Sequence, residues 1–180
     1  MGQLMKAEQA VQGVAVADQQ QYLTFMLGGE MFAIGILAIK EIIEYGNLTA
    51  VPMMPEFIRG VINLRGAVVP VIDLSARFGR KSTDVTRRTC IVIIEVESDN
   101  EKQDLGVVVD AVNEVLEIPQ DQIEPPPAFG ARIRTDFIRG MGKVGGRFVI
   151  ILNVGNVLSI EDITVLEKMA AAQDVPTAGN

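Results

Sequence analysis

Phe57-Ile58-Arg59-Gly60-Val61-Ile62-Asn63-Leu64-Arg65-Gly66-Ala67-Val68-Val69-Pro70-Val71-Ile72-Asp73-Leu74 is a stretch that the chain writes twice. Phe137-Ile138-Arg139-Gly140 repeats its opening, Gly146 falls on Gly66, and Phe148-Val149-Ile150-Ile151-Leu152-Asn153-Val154 falls on Val68 to Leu74 without a gap. Each copy holds two apolar runs around a glycine-containing turn, the pattern of a β-hairpin. Asp73 and Asn153 then stand where a helix N-cap is wanted. Upstream, Ile39-Lys40-Glu41-Ile42-Ile43-Glu44 matches Val112-Asn113-Glu114-Val115-Leu116-Glu117, with a longer connection to the hairpin in the second copy. Two related β-lobes therefore share the chain.

Working outward, Tyr22 to Leu27 and Glu30 to Ile34 read as strands around a Gly28-Gly29 turn, and Leu37 to Ile43 fits either a helical turn or a strand. Cys90 to Val96 and Leu105 to Val109 read as further strands. The expected division is a flexible tail over 1–19, lobe one over about 20–85 and lobe two over about 86–157. A C-terminal helix over about 160–172, opened by Ser159-Ile160-Glu161-Asp162, and a tail over 173–180 complete it. The fold class is all-β with one C-terminal helix. About five short strands per lobe close into small SH3-like or OB-like barrels, because closure removes exposed edges. Each lobe alone has a thin core, so the two are expected to depend on each other.

The 180 residues are 48% apolar but only 5% aromatic, with a formal net charge of −7. That balance argues against phosphate-backbone binding, although Arg59, Arg65, Arg77, Arg80, Lys81, Arg87 and Arg88 cluster in sequence. No apolar run approaches the ~18 residues of a membrane span. The lone cysteine, Cys90, opens an apolar strand, which fits a buried thiol in a reducing compartment. A cytoplasmic location is expected.

Chemistry is scarce. The chain has no histidine, which removes the commonest general base and the imidazole metal sites. Gly140-Met141-Gly142-Lys143-Val144-Gly145 satisfies the dinucleotide-binding spacing, but it runs into a strand where that fingerprint requires a helix. Asp110 with Glu114, or Glu41 with Glu44, could be imagined as an acid–base pair, yet strand alternation explains them as outward-facing carboxylates. No enzymatic activity, metal or cofactor is expected. Arg65 is the residue left over. It is either an ordinary turn arginine or an interface anchor, and the second copy has Gly145 in its place.

The quoted stretch closely resembles the hallmark segment of the CheW family of chemotaxis coupling proteins. The resemblance extends over about residues 20–170, including Phe32-Ala33-Ile34-Gly35, Gly106-Val107-Val108-Val109-Asp110 and the Ile123 to Phe129 proline loop. It implies two tandem five-stranded SH3-like barrels and a non-enzymatic adaptor. That adaptor would link the cytoplasmic tips of methyl-accepting chemoreceptors to the regulatory domain of the CheA histidine kinase, in membrane-associated arrays and with possible self-association in rings. By position it implies Ile39, Glu41, Gly60 and Arg65 for receptor contact, and Glu124 and Phe129 for kinase contact. Glu124 departs from members that carry a basic residue there. Phe129 could instead be a core aromatic. The alternatives are an adaptor of another chemosensory pathway, such as twitching motility, or an OB-like module for single-stranded nucleic acid.

Overall fold

Three blocks of the chain, residues 20–98, 101–126 and 137–157, are described by a computed structural model. Eleven strands follow in order: β1 (Gln21–Leu27), β2 (Glu30–Gly35), β3 (Ile39–Glu44), β4 (Ile58–Leu64), β5 (Ala67–Asp73), β6 (Cys90–Ser98), β7 (Glu101–Val109), β8 (Ala111–Glu117), β9 (Ile123–Glu124), β10 (Ile138–Val144) and β11 (Arg147–Leu152). Short helices at Leu74–Arg77 and Val154–Val157 follow the two repeated hairpins. The ambiguous segment before Ile43 resolves into a 3-10 turn, Ile36–Ala38, and then β3. The expected C-terminal helix, both tails and Phe129 lie outside the described residues.

The mainly-β expectation holds, with one sheet of five strands and one of six. Their order does not follow a division of the chain near residue 85. One sheet runs β3-β6-β7-β5-β4 and the other β8-β1-β2-β11-β10-β9. The two lobes have thus exchanged their leading hairpins. The β6–β7 hairpin lies between β5 and β3, while β1–β2 lies between β8 and β11. The chain crosses from one sheet to the other after Gly35 and again at Asp110. At the second crossing Asp110 is fixed by its N–H to the Met26 carbonyl (2.9 Å) and by its carboxylate to the Gly28 N–H (2.8 Å). β7 takes the slot beside β5 as a parallel strand, and the edges of β1–β2 are covered by the later strands β8 and β11. The exchange creates two parallel contacts, Val71 opposite Gly106 and Ile150 opposite Phe32.

Period-two alternation then sorts side chains between three apolar clusters. Ile91 and Ile93 of β6 point into their own sheet's cluster with Ile62, Val69, Val71 and Val108. Val92, Ile94 and Val96 point the other way, into a larger core shared with Phe25, Phe32 and Ile34 of the second sheet. Val149 and Ile151 close the second sheet's own cluster with Tyr22, Ala33 and Ile118. Phe25, Phe32, Phe78 and Phe137 form an aromatic column through the shared core, with successive ring centroids 6.1, 5.8 and 5.8 Å apart. Such spacing suits offset aromatic contact.

The glycine-rich segment at 140–145 lies in β10 and the turn that follows it, so strand leads to strand. Nothing there resembles the strand-to-helix turn that cradles a pyrophosphate.

Candidate functional site

β3 and β4 are the two outermost strands of the five-stranded sheet. Even so, Glu41 on β3 and Arg65 in the β4–β5 turn meet, with Arg65 Nη2 2.7 Å from Glu41 Oε2. The sheet therefore curls until its edges approach. Arg65 remains largely exposed, at 79%, and Glu41 is partly covered. Beside them Lys40 holds Asp104 at 3.0 Å and Glu95 at 3.8 Å. The hydrogen bond from Lys40 to Asp104 pushes the ammonium above its ordinary range, with Arg65 acting weakly against it.

The conformation of Arg65 carries more information than its contact. Arg65 has φ +54° and Gly66 +86°, the left-handed pair of a tight hairpin turn closed by Gly66 N–H to Asn63 Oδ1 at 2.9 Å. In the duplicate turn Gly145 has φ +56° and Gly146 +79°, so the backbones match. A side chain in this region costs about 1–2 kcal/mol relative to glycine. The first copy thus carries a guanidinium at a position where its own duplicate carries the residue that the backbone prefers.

The other expected receptor residues have different surroundings. Gly60 has φ +150°, and a Cβ there would sit 2.4 Å from the Thr49 carbonyl oxygen. Its role is to let Thr49 bridge to Val61, with N···O distances of 2.8 and 2.9 Å. Gly140 does the same for β9, where a Cβ would meet Ile123 Cγ2 at 2.5 Å. Ile39 is half-buried against the shared core. The structure therefore joins Glu41 to Arg65, gives Gly60 a backbone role, and directs part of Ile39 inward.

Glu124, on edge strand β9, is half-exposed and lies 2.7 Å from Lys143 Nζ. Lys143 also stands 5.9 Å from the Phe148 ring centroid, and Phe148 is itself half-exposed. Next to Phe148, the side chains of Met26, Met31, Met141 and Ile150 line a shallow groove of about 350 Å³. Sequence reasoning missed this surface because it is assembled from four strands, β1, β2, β10 and β11. The only local hint is alternation, which sends Val149 and Ile151 inward and leaves Phe148 on the opposite face.

Folding pairs four members of the basic cluster. Arg59 pairs with Asp73, Arg65 with Glu41, Arg80 with Glu30 and Lys81 with Asp84. A net charge of −7 argues against the basic groove that single strands require. Cys90 is half-buried, and burial pushes its thiol up, as suits a structural residue. Among the described residues no three carboxylate or thiol groups gather as a metal site, and no helix is long and apolar enough to cross a membrane.

A duplicated β-framework whose exposed features are ion pairs, a strained turn arginine and an apolar groove is of the scaffold class. A CheW-like domain matches residues 21–162. The chain is 34% identical over 151 residues to the chemotaxis protein CheW of Klebsiella aerogenes, covering 84% of this chain and 89% of that protein. Against protein FrzA of Myxococcus xanthus it is 29% identical over 128 residues, covering 71% and 77%. The crystal structure of the scaffolding protein TtCheW from Thermoanaerobacter tengcongensis superposes with a TM-score of 0.72 at 34% identity, covering 80% of this chain and 90% of that one. The chain belongs to the CheW family and is a chemotaxis adaptor.

Proposed function

We propose that this adaptor joins chemoreceptor cytoplasmic tips to a CheA-type histidine kinase, without enzymatic activity of its own, in the cytoplasm beneath receptor arrays. Arg65 carries the reading. A left-handed arginine where the duplicate turn has glycine is retained against its conformational cost, which favours selection for what its side chain binds. Arg65 and Glu41 take the receptor, with Gly60 and Ile39 shaping that side of the five-stranded sheet. Glu124, together with Phe129, takes the kinase. A guanidinium suits a receptor helix because it donates to several carbonyls and carboxylates at once. Holding both partners in fixed relation lets a receptor shift bias the kinase between its states.

Pull-downs with receptor tips and with kinase, run separately, test this. Arg65→Glu is expected to cost on the order of 2 kcal/mol of receptor binding, roughly a thirtyfold loss, with kinase capture nearly unchanged. Arg65→Gly should also lose receptor. Its melting temperature should stay level or rise slightly, because relief of the left-handed cost of about 1 kcal/mol outweighs an exposed ion pair worth less. Receptor capture that survives the charge reversal removes Arg65 from this role. The similarity to FrzA supports a second reading, an adaptor for another chemosensory pathway. Co-purification from cells separates the two by naming the receptor and kinase that accompany the chain.

A further inference from the structure

The two copies of the repeated Phe-Ile-Arg-Gly motif meet at one side chain. Arg77, at the end of the short helix after β5, has its guanidinium carbon 5.1 Å from the Phe57 ring centroid and 5.0 Å from that of Phe137. These phenylalanines are the equivalent residues of the two copies, and each is tied to its own sheet. The Phe57 carbonyl accepts from Asp73 N–H at 2.7 Å, and the Phe137 carbonyl accepts from Asn153 N–H at 2.8 Å. Arg77 thus lies between the residue that leads into β4 of the five-stranded sheet and its counterpart that leads into β10 of the six-stranded sheet. The position equivalent to Arg77 in the second copy is Val157, so the contact is made once and not as a symmetric pair.

What each phenylalanine leads into gives the contact its meaning. Phe57 immediately precedes β4, which carries Gly60 and leads into the Arg65 turn. Phe137 immediately precedes β10, whose Met141 pairs with Glu124 on β9. From these juxtapositions we infer that Arg77 is a positioning residue, a cationic pin that holds the receptor-side hairpin and the kinase-side hairpin in one register and so transmits receptor control to the kinase. The inference rests on the adaptor reading above and adds to it the element through which the two sides are coupled.

The physics favours a pin over a hinge here. A guanidinium is planar and stacks on aromatic faces, so it engages two rings at once. Coupling between distant sites requires an element that both sites bias. The neighbouring Arg80 is the natural control, because it also bridges toward the six-stranded sheet, reaching Glu30 at 2.9 Å and the Phe32 ring at 6.0 Å. Neither contact involves Phe57 or Phe137.

The test compares Arg77→Ala, Arg77→Lys and Arg80→Ala in the full chain, each first shown to be folded by its melting curve. Arg77→Gln replaces the alanine variant if the latter unfolds. Arg77→Ala is expected to capture receptor tips and kinase separately with near wild-type affinity. In reconstituted receptor–adaptor–kinase arrays, receptor control of kinase activity should then fall about tenfold, the scale of a typical coupling between sites. Arg77→Lys should restore control, since an ammonium is also held by ring faces, and Arg80→Ala should leave it intact. Spin labels at the exposed Val68 and Val115, one on each sheet, with Cys90 replaced by serine, report the register directly. Their distance distribution should broaden in Arg77→Ala and stay narrow in Arg77→Lys. Unchanged control, an unchanged distribution, or loss of either separate binding overturns the assignment. If the wild-type chain captures neither partner, the adaptor reading fails, while the label distances still decide whether Arg77 is the pin.

Discussion

Neither half of this chain will fold alone: a fragment ending at Arg88, or one starting at Thr89, is expected to be aggregated or largely unfolded. Thin cores are the first reason to expect this, and the hairpin exchange is the stronger one. Cutting after Arg88 removes β6 and β7 from the middle of the order β3-β6-β7-β5-β4. β3 is then left without its partner, and the β4–β5 hairpin stands by itself. The same cut strips β8 and β11 from both sides of β1–β2. What remains is two isolated hairpins, which are marginal in water at best. The complementary half keeps β6–β7 but loses both strands that flank it. Phe25, Phe32 and Ile34 would face water where Val92, Ile94 and Val107 had been. Proton–nitrogen correlation spectra check the expectation. Well-dispersed amide signals from either half alone would refute it, whereas co-expressed halves should recover the native spectrum. The intact chain should unfold in one transition by probes in either sheet, as expected for a single cooperative unit.

What is legible in the sequence, and what is not, follows from how local each feature is. The repeated hairpins β4–β5 and β10–β11 are legible because strand, turn and cap occupy one continuous stretch. The capping role of Asp73 is legible for the same reason, and its carboxylate does accept from Ala76 N–H at 3.2 Å. Hairpin exchange is not, since repetition says which segments are equivalent but not which copy a hairpin joins. The parallel contacts that reveal it, β5 beside β7 and β2 beside β11, have no short-range signature. The Glu41–Arg65 pair is reached only residue by residue, through resemblance, because its members come from opposite edges of one sheet. Arg59 is a different case. A straight ladder from the turn would set it opposite Ile72, but the register shifts between Ile58 and Gly60. Arg59 is the extra residue of a bulge, and bulges re-aim side chains.

That bulge sets up the second large effect, the expected loss of stability when Asp73 is removed. Asp73 is fully buried and its carboxylate is surrounded. It accepts from Arg59 Nε at 3.1 Å, Thr83 N–H at 2.9 Å, Thr83 Oγ1 at 3.3 Å and Ala76 N–H at 3.2 Å. Arg59 also donates to the Thr83 carbonyl and stands 5.7 Å from the Tyr45 ring centroid. One carboxylate therefore caps the helix, anchors the loop that leads to β6 and neutralises a mostly covered guanidinium. Asp73→Ala ends all three roles and leaves Arg59 without its counter-charge. Breaking a buried pair from one side costs about 3–5 kcal/mol, well above the ~1 kcal/mol of a lost cap. Asp73→Asn copies Asn153 of the second lobe, where the equivalent Arg139 is exposed. It keeps an acceptor for Ala76 and should cost less. Removing the stranded charge as well, in Asp73→Ala with Arg59→Leu, should recover part of the loss, because the penalty lies in the uncompensated charge and not in the missing pair. Denaturant titration of the wild type and these three variants measures the differences. A cost near 1 kcal/mol for Asp73→Ala, the scale of a lost cap, or a double variant no more stable than the single one, would reduce Asp73 to a helix cap.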